Sequence, residues 1–406
     1  MIRKFFILPL LALIFSCNTQ DSTEIRTGVW RAELQLKDAV VLPFNFEVTS
    51  ANALKVFNAD EVIEVTDIAY SKDTVVIKMP VFEGYIKAVV KGDVLKGDFI
   101  IESLDRVVPF YAEYGNAKRF DLSTDVAEYN VTGSWETAFS PKTEDGKYVA
   151  KGEFKQDGTK VVGTFRTTTG DYRYLEGVMD GRTMKLSAFD GAHAFLFTAT
   201  VSDSTMTGRF YSGNHWDEPF VAKRNANFEL PSANDMTFLN EGYDALEFTF
   251  PDVAGNLVSL SDDRFKNKVV VVQIMGSWCP NCLDESKYYT SYYERNANKD
   301  VEFVALAFEY AKTKEKALSS IKRLRDNVGI GYPILLAQFG TSSKSKAQEK
   351  LPMLNHVLSY PTSIFIDKKG KVRKIHTGFN GPATGQKFIE FKSEFTSFVD
   401  QLVNEE

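Results

Sequence analysis

Between residues 24 and 225 the chain repeats itself, and this duplication restricts the possible folds more than any other feature of the sequence. Gly28-Val29-Trp30 returns as Gly133-Ser134-Trp135. Ile77-Lys78-Met79-Pro80-Val81-Phe82-Glu83-Gly84 returns as Met184-Lys185-Leu186-Ser187-Ala188-Phe189-Asp190-Gly191. Lys96-Gly97-Asp98-Phe99 pairs with Thr207-Gly208-Arg209-Phe210, and Pro109-Phe110 with Pro219-Phe220. The offset drifts from 105 to 111 residues, as small loop insertions would make it. Two copies of one unit follow, at 24–115 and 125–225.

Inside each copy, short runs alternate apolar and polar residues, as in Thr74-Val75-Val76-Ile77-Lys78-Met79 and Tyr85-Ile86-Lys87-Ala88-Val89-Val90. Lys91-Gly92-Asp93 and Gln156-Asp157-Gly158 punctuate them. A period of two broken by such turns predicts many short antiparallel strands. The aromatic share of 13%, with 32 Phe, agrees with β-rich structure. The two copies could close into one barrel or pack as two sandwiches; closure would remove exposed strand edges, and the pattern leaves both open.

Residues 226–245 contain Pro231, Ser232, Asn234 and Gly242 and read as a linker. Beyond it the pattern changes to alternating strands and helices. Runs at 269–275, 301–308, 332–337, 363–367 and 372–377 read as strands. Residues 313–327 place Ala317, Leu318, Ile321 and Leu324 on one helical face, and 386–403 carry Phe388, Phe391, Phe395 and Phe398 as a core stripe. The fold class is therefore α+β multidomain: an antiparallel β-rich repeat region, then an α/β domain over 246–406 with helices on both faces of a mixed sheet.

The net charge of −6 argues against nucleic-acid binding, which needs clustered Lys and Arg. Residues 1–16 read as a secretory leader, with Arg3 and Lys4 before an apolar run too short to span a bilayer. The run ends Leu13-Ile14-Phe15-Ser16-Cys17, which resembles a bacterial lipobox. That resemblance implies cleavage before Cys17, lipid attachment to it, and a tether over 17–23 that holds the protein at a membrane. Phe15 departs from the pattern.

The remaining cysteines stand in Gly276-Ser277-Trp278-Cys279-Pro280-Asn281-Cys282, between the run at 269–275 and a helix-compatible stretch. Two cysteines separated by two residues at a helix start can form a reversible disulfide, and the helix N-terminus favours the attacking thiolate. Cys279 is expected as the exposed nucleophile and Cys282 as the resolving thiol. A zinc site would need about four ligands, and there is no second cysteine pair. His356 and His376 stand alone, so no metal is expected. His193 reads as a core or sheet-face residue, and His215 as a loop residue able to touch a ligand.

This constellation resembles the thioredoxin superfamily, and its exported TlpA/ResA-like branch in particular, over about residues 246–406. Phe250-Pro251-Asp252 with Gly255 and Val258-Ser259-Leu260 looks like the branch's lead-in to the first core strand. Trp278-Cys279-Pro280-Asn281-Cys282 looks like its active-site turn, and Tyr360-Pro361-Thr362 like its cis-proline loop. The resemblance implies a thioredoxin-like fold without a cofactor. It implies a substrate surface at Trp278, Pro280, Tyr360 and Pro361, and an acidic residue, Glu285, that tunes the cysteines or moves a proton. Gln273 stands where thioredoxin has a buried aspartate. Asp284 reads as exposed.

The expected function is dithiol–disulfide exchange by an exported, membrane-anchored enzyme of the bacterial envelope, facing the periplasm or attached to the outer membrane. The resemblance implies that it reduces disulfides of exported, cysteine-containing proteins, with electrons from a membrane thiol donor. A disulfide oxidase or isomerase is an alternative, since direction follows the reduction potential. In a further alternative the β region carries the main function, as a binding or assembly lipoprotein. The peroxiredoxin-type Thr-x-x-Cys arrangement is absent.

Overall fold

The computed structural model describes residues 24–124, 126–297 and 299–405. The expected leader at 1–16, Cys17 and the tether at 17–23 lie outside them. Each copy of the repeat builds its own nine-stranded antiparallel sheet. Alternation drives this: in Gly28–Gln35, Trp30, Ala32 and Leu34 are buried while their neighbours are not.

The first sheet rolls up with Glu61–Val65 and Asp67–Ser71 as its two edges, consecutive strands joined through Thr66. The second goes further. Tyr148–Asp157 pairs with Lys160–Thr167, so eight of its nine strands form a ring. The ninth, Gly170–Asp171, is a two-residue strand on the rim. Closure removes free edges, and aromatic residues fill the interior: Trp135, Phe139, Phe165, Phe197 and Phe220 are all fully buried. The matched tryptophans use the same bond. Trp30 Nε1 donates to the Arg26 carbonyl and Trp135 Nε1 to the Val131 carbonyl, each at 2.9 Å.

The two copies pack through the strings that they share. Phe189 stacks on Phe44 at 4.4 Å between centroids, and its backbone N–H and carbonyl both bond the Asn58 amide. The matched glycines Gly84 and Gly191 meet at this seam. A Cβ on Gly84 would lie 2.5 Å from the Gly191 carbonyl oxygen.

The C-terminal part is a five-stranded sheet in the order Ile334–Gln338, Val301–Phe308, Val269–Met275, Thr362–Ile366, Val372–Thr377. The first three are parallel and the last two antiparallel. Val269–Met275 is buried along its whole length, as its unbroken apolar run requires. Four helices accompany the sheet: α1 (Pro280–Arg295), α2 (Lys314–Val328), α3 (Lys344–Lys350) and α4 (Gln386–Asn404). Tyr288 and Tyr289 of α1 pack edgewise or tilted on Phe395 of α4. The segment read as a linker is not a free tether. Asn240 N–H donates to the Met353 carbonyl, Phe238 N–H to the Asn355 side chain, and the Ala233 carbonyl accepts from Thr377 N–H.

Gly84→Ala should destabilise the protein by about 1–3 kcal/mol, because the added methyl meets the Gly191 backbone carbonyl and the buried ring of Phe99 at the seam. Thermal or urea unfolding measures this; an unchanged midpoint would show that the two copies do not depend on that close approach.

Candidate active site

The fully buried strand Val269–Met275 delivers the chain to Gly276, and the turn that follows is held from below. Ser277 N–H and Oγ donate to the two carboxylate oxygens of Glu309, at 2.8 and 2.7 Å. Trp278 Nε1 donates to the Phe308 carbonyl at 3.0 Å, and its ring lies edgewise to Tyr360 and tilted against Tyr310. Cys279 caps α1 with extended backbone angles, and Pro280 takes the first helical position, where a missing N–H costs nothing.

Both cysteines are free thiols. Cys282 N–H donates to Cys279 Sγ at 3.3 Å, and Cys279 Sγ–H lies 3.4 Å from the Tyr360 carbonyl. The Tyr360–Pro361 bond is cis. Cys282 has no exposed surface, and burial, followed by the bond and charge of Cys279, pushes its thiol well up.

Beneath the pair lies a closed polar network. The Glu285 carboxyl accepts from Gln273 Nε2 at 2.8 Å, Ser363 Oγ at 2.9 Å and Tyr289 OH at 3.1 Å. Gln273 Nε2 also lies 3.4 Å from the Cys282 carbonyl. Burial pushes Glu285 up to about 7, against these three donors, which pull it down. Burial likewise raises Glu309 to about 7.

The second barrel closes over this turn. Its segment 167–173 is pinned to the C-terminal part at four points. Asn281 Nδ2 donates to the Asp171 carbonyl at 3.1 Å, and Gly381 N–H to the Asp171 carboxylate at 2.6 Å. Ser359 Oγ donates to the Thr169 carbonyl at 2.8 Å, and Arg173 Nη1 to the Pro280 carbonyl at 3.1 Å. Arg173 also pairs with Asp284 and Glu61 and, at 3.3 Å, with Asp190.

The structure thus brings Trp278, Cys279, Pro280, Cys282, Glu285, Tyr360 and Pro361 into one place. Two expectations change. Cys279 is 7% exposed and not an open first position: the Tyr360 carbonyl lies against its sulfur, and segment 167–173 lines the cleft that it faces. Asp284 is buried and not solvated, because Arg173 reaches it from the barrel. Sequence reasoning passed over Arg173, Asp171 and Glu309. No periodicity or motif marks Arg173 in Gly170-Asp171-Tyr172-Arg173, so its role depends wholly on how the domains pack. His193 is half-buried, stacked on Phe195, and His215 lies at the neighbouring rim. Among the described residues, no cluster of His, Cys, Asp or Glu could hold a metal ion.

The folded protein keeps a proton on Glu285 up to about pH 7, whereas an unfolded glutamate releases its own near about 4.3. Between those values the folded state binds more protons, so this group costs stability progressively as pH rises. Glu285→Gln removes that component. The melting temperature of the variant, relative to the parent, should therefore rise between about pH 5 and about pH 8. A difference that stays flat with pH would take Glu285 out of that titration.

Residues 240–387 match the Redoxin family. Thioredoxin-like protein YneN of Bacillus subtilis (strain 168) is 28% identical over 140 residues, 34% of this chain and 73% of that protein. Thiol-disulfide oxidoreductase ResA of the same strain is 27% identical over 140 residues, 34% of this chain and 69% of that protein. A solved thiol-disulfide oxidoreductase from Bacteroides fragilis NCTC 9343 aligns over 37% of this chain and 99% of its own, with 23% identity and a TM-score of 0.27. Behind its two β-rich sheets, the chain ends in a redoxin domain of the thioredoxin-like oxidoreductase kind.

Proposed function

We propose that this protein is an exported, membrane-anchored thiol–disulfide oxidoreductase that reduces disulfides of exported proteins through the Cys279/Cys282 dithiol. One observation carries the reading: Cys279 Sγ caps α1, takes the Cys282 N–H at 3.3 Å, and faces the Tyr360 carbonyl, with Cys282 directly below. That N–H and the start of α1 both point at the sulfur that would attack a substrate disulfide.

The reaction is an exchange in two steps. The Cys279 thiolate attacks one substrate sulfur, a mixed disulfide forms, and the other substrate sulfur leaves and takes a proton. Cys282 then gives its proton to the Glu285 carboxylate and attacks Cys279 Sγ. The reduced substrate is released, two electrons have passed to it, and the enzyme holds the Cys279–Cys282 disulfide. A second dithiol, from a membrane donor, restores the reduced pair. Burial suits Cys282 to this order, since its thiol stays protonated until Cys279 has reacted. Glu285 sits one helical turn on, at about the acidity needed to accept a proton near neutral pH. Trp278, Pro280, Tyr360 and Pro361 form the surface around the sulfur, and the Tyr360 backbone offers pairing groups to a bound peptide. The leader and Cys17 support an envelope location with a lipid anchor.

Cys282→Ala should retain substrates as mixed disulfides on Cys279, identifiable by mass spectrometry, while Cys279→Ser should reduce disulfide exchange to background and trap none. Retention of full exchange by Cys279→Ser would reject the assignment. A reduction potential close to that of strong oxidants, about −120 mV, would reverse the proposed direction.

A further inference from the structure

Cys279 lies on the floor of a cleft whose far wall does not belong to the redoxin domain. The cleft has a volume of about 700 Å³; Trp278, Cys279 and Tyr360 form one side, and Tyr148, Tyr172 and Phe195 of the closed barrel form the other. A second cavity of about 520 Å³ continues from it, sharing Tyr172, Phe195 and Trp278 and adding Trp216 and Tyr310. The barrel wall is stiff. Tyr148 OH and Tyr172 OH are 2.6 Å apart, Tyr148 OH donates to Glu218 at 2.8 Å, and the rings of Tyr172 and Phe195 meet edge to face. Segment 167–173 fixes that wall to the active-site turn and to Ser359, so the gap has a set width.

Two magnitudes decide what can enter. Cys279 is 7% exposed, and the cleft is of a size that encloses a small ligand or a few residues of chain. A standard interface takes about 800 Å² of a folded partner's surface, and even a smaller, transient redox encounter must bring its disulfide down to a sulfur that is almost fully covered. Aromatic rings line both walls, so an aromatic or large apolar side chain gains most by entering. The mouth is polar, with exposed Asp145, Lys147 and Lys344.

We propose that the second barrel is the specificity wall of the enzyme: the cleft between it and the redoxin domain takes an extended, cysteine-bearing polypeptide segment with an aromatic residue beside the cysteine, and excludes disulfides on folded surfaces. This rests on the dithiol reading above. The exchange chemistry is unchanged; the barrel selects which sulfur reaches Cys279.

The full chain is assayed with three probes: a short peptide carrying Cys-Phe as a mixed disulfide with 5-thio-2-nitrobenzoate, the same peptide with Gly for Phe, and a folded protein with a solvent-exposed disulfide. The Phe peptide should show a kcat/KM about tenfold above the Gly peptide, carried by KM, and the folded protein should be the slowest. Phe195→Ala should remove most of that preference, and Trp216→Ala, exposed and away from the barrel interior, should weaken it without threatening the fold. Equal rates for the two peptides, a preference that survives both substitutions, or rapid reduction of the folded protein would each overturn the proposal. The Gly peptide reports the exchange reaction separately. If it reacts while the flanking preference is absent, the specificity wall fails and the dithiol chemistry stands. If no probe reacts, the exchange reading fails, and binding of the Phe and Gly peptides to Cys279→Ser, followed by tryptophan fluorescence, decides on the wall by whether the Phe peptide binds about tenfold tighter.

Discussion

The arrangement depends on one buried guanidinium. Arg173 ties Glu61 of the first sheet, Asp190 of the second and Asp284 of α1 together, and also bonds the carbonyl of Pro280 between the two cysteines. Burial opposes its charge, but Asp284, Glu61 and Asp190 outweigh that and raise it well above its ordinary value. A buried charge so placed adds little stability compared with apolar packing, yet removing it would strand three carboxylates, and breaking a buried pair costs about 3–5 kcal/mol. The cluster therefore bears more on how the three units dock than on net stability, and the docking that it bridges leaves the cleft beside Cys279.

How legible this was follows from the range of the interactions. The repeat, the strand alternation and the strand–CxxC–helix turn are written in neighbouring residues, and the sheets, α1, α2 and α4 form where those patterns lie. Barrel closure was not legible, because the ring also needs Gly133–Phe139 to pair with Trp216–Arg224 far along the chain, which alternation permits and does not demand. The cover over Cys279 was invisible for a stronger reason. Asp171, Arg173 and Thr169 have no local pattern, and their partners stand more than a hundred positions away. Asp284 read as solvated because its sequence neighbours are polar; only the docked barrel takes its water away.

Gln273 and Glu285 form the polar centre beneath the cysteines. The strand position beneath the cysteines holds a neutral amide that donates to Glu285, so the acid projects from α1 instead. Glu285 follows Cys282 by three residues and shares its helix face. Tyr289, one further turn along, and Ser363 from the neighbouring strand complete the acceptor's partners. With three donors and no cation, burial governs, and the carboxyl titrates near neutrality instead of being locked as an ion.

The duplication also bears on the site. The matched strings end in Glu83-Gly84 and Asp190-Gly191, and the two acidic residues approach the active-site turn by separate routes. Asp190 works through Arg173, whose other bonds reach Pro280 and Asp284 after Cys279. Glu83 bonds Ser103, lines a small gap with Ser277 and Glu309, and its charge raises Glu309, which holds the turn just before Cys279. One side is a cation bridging acids; on the other, two acids line one small gap without a cation between them. Two copies of one β unit thus flank the single turn that carries Cys279 and Cys282, and the copy that closed its barrel is the one whose side chains face Cys279 across the cleft.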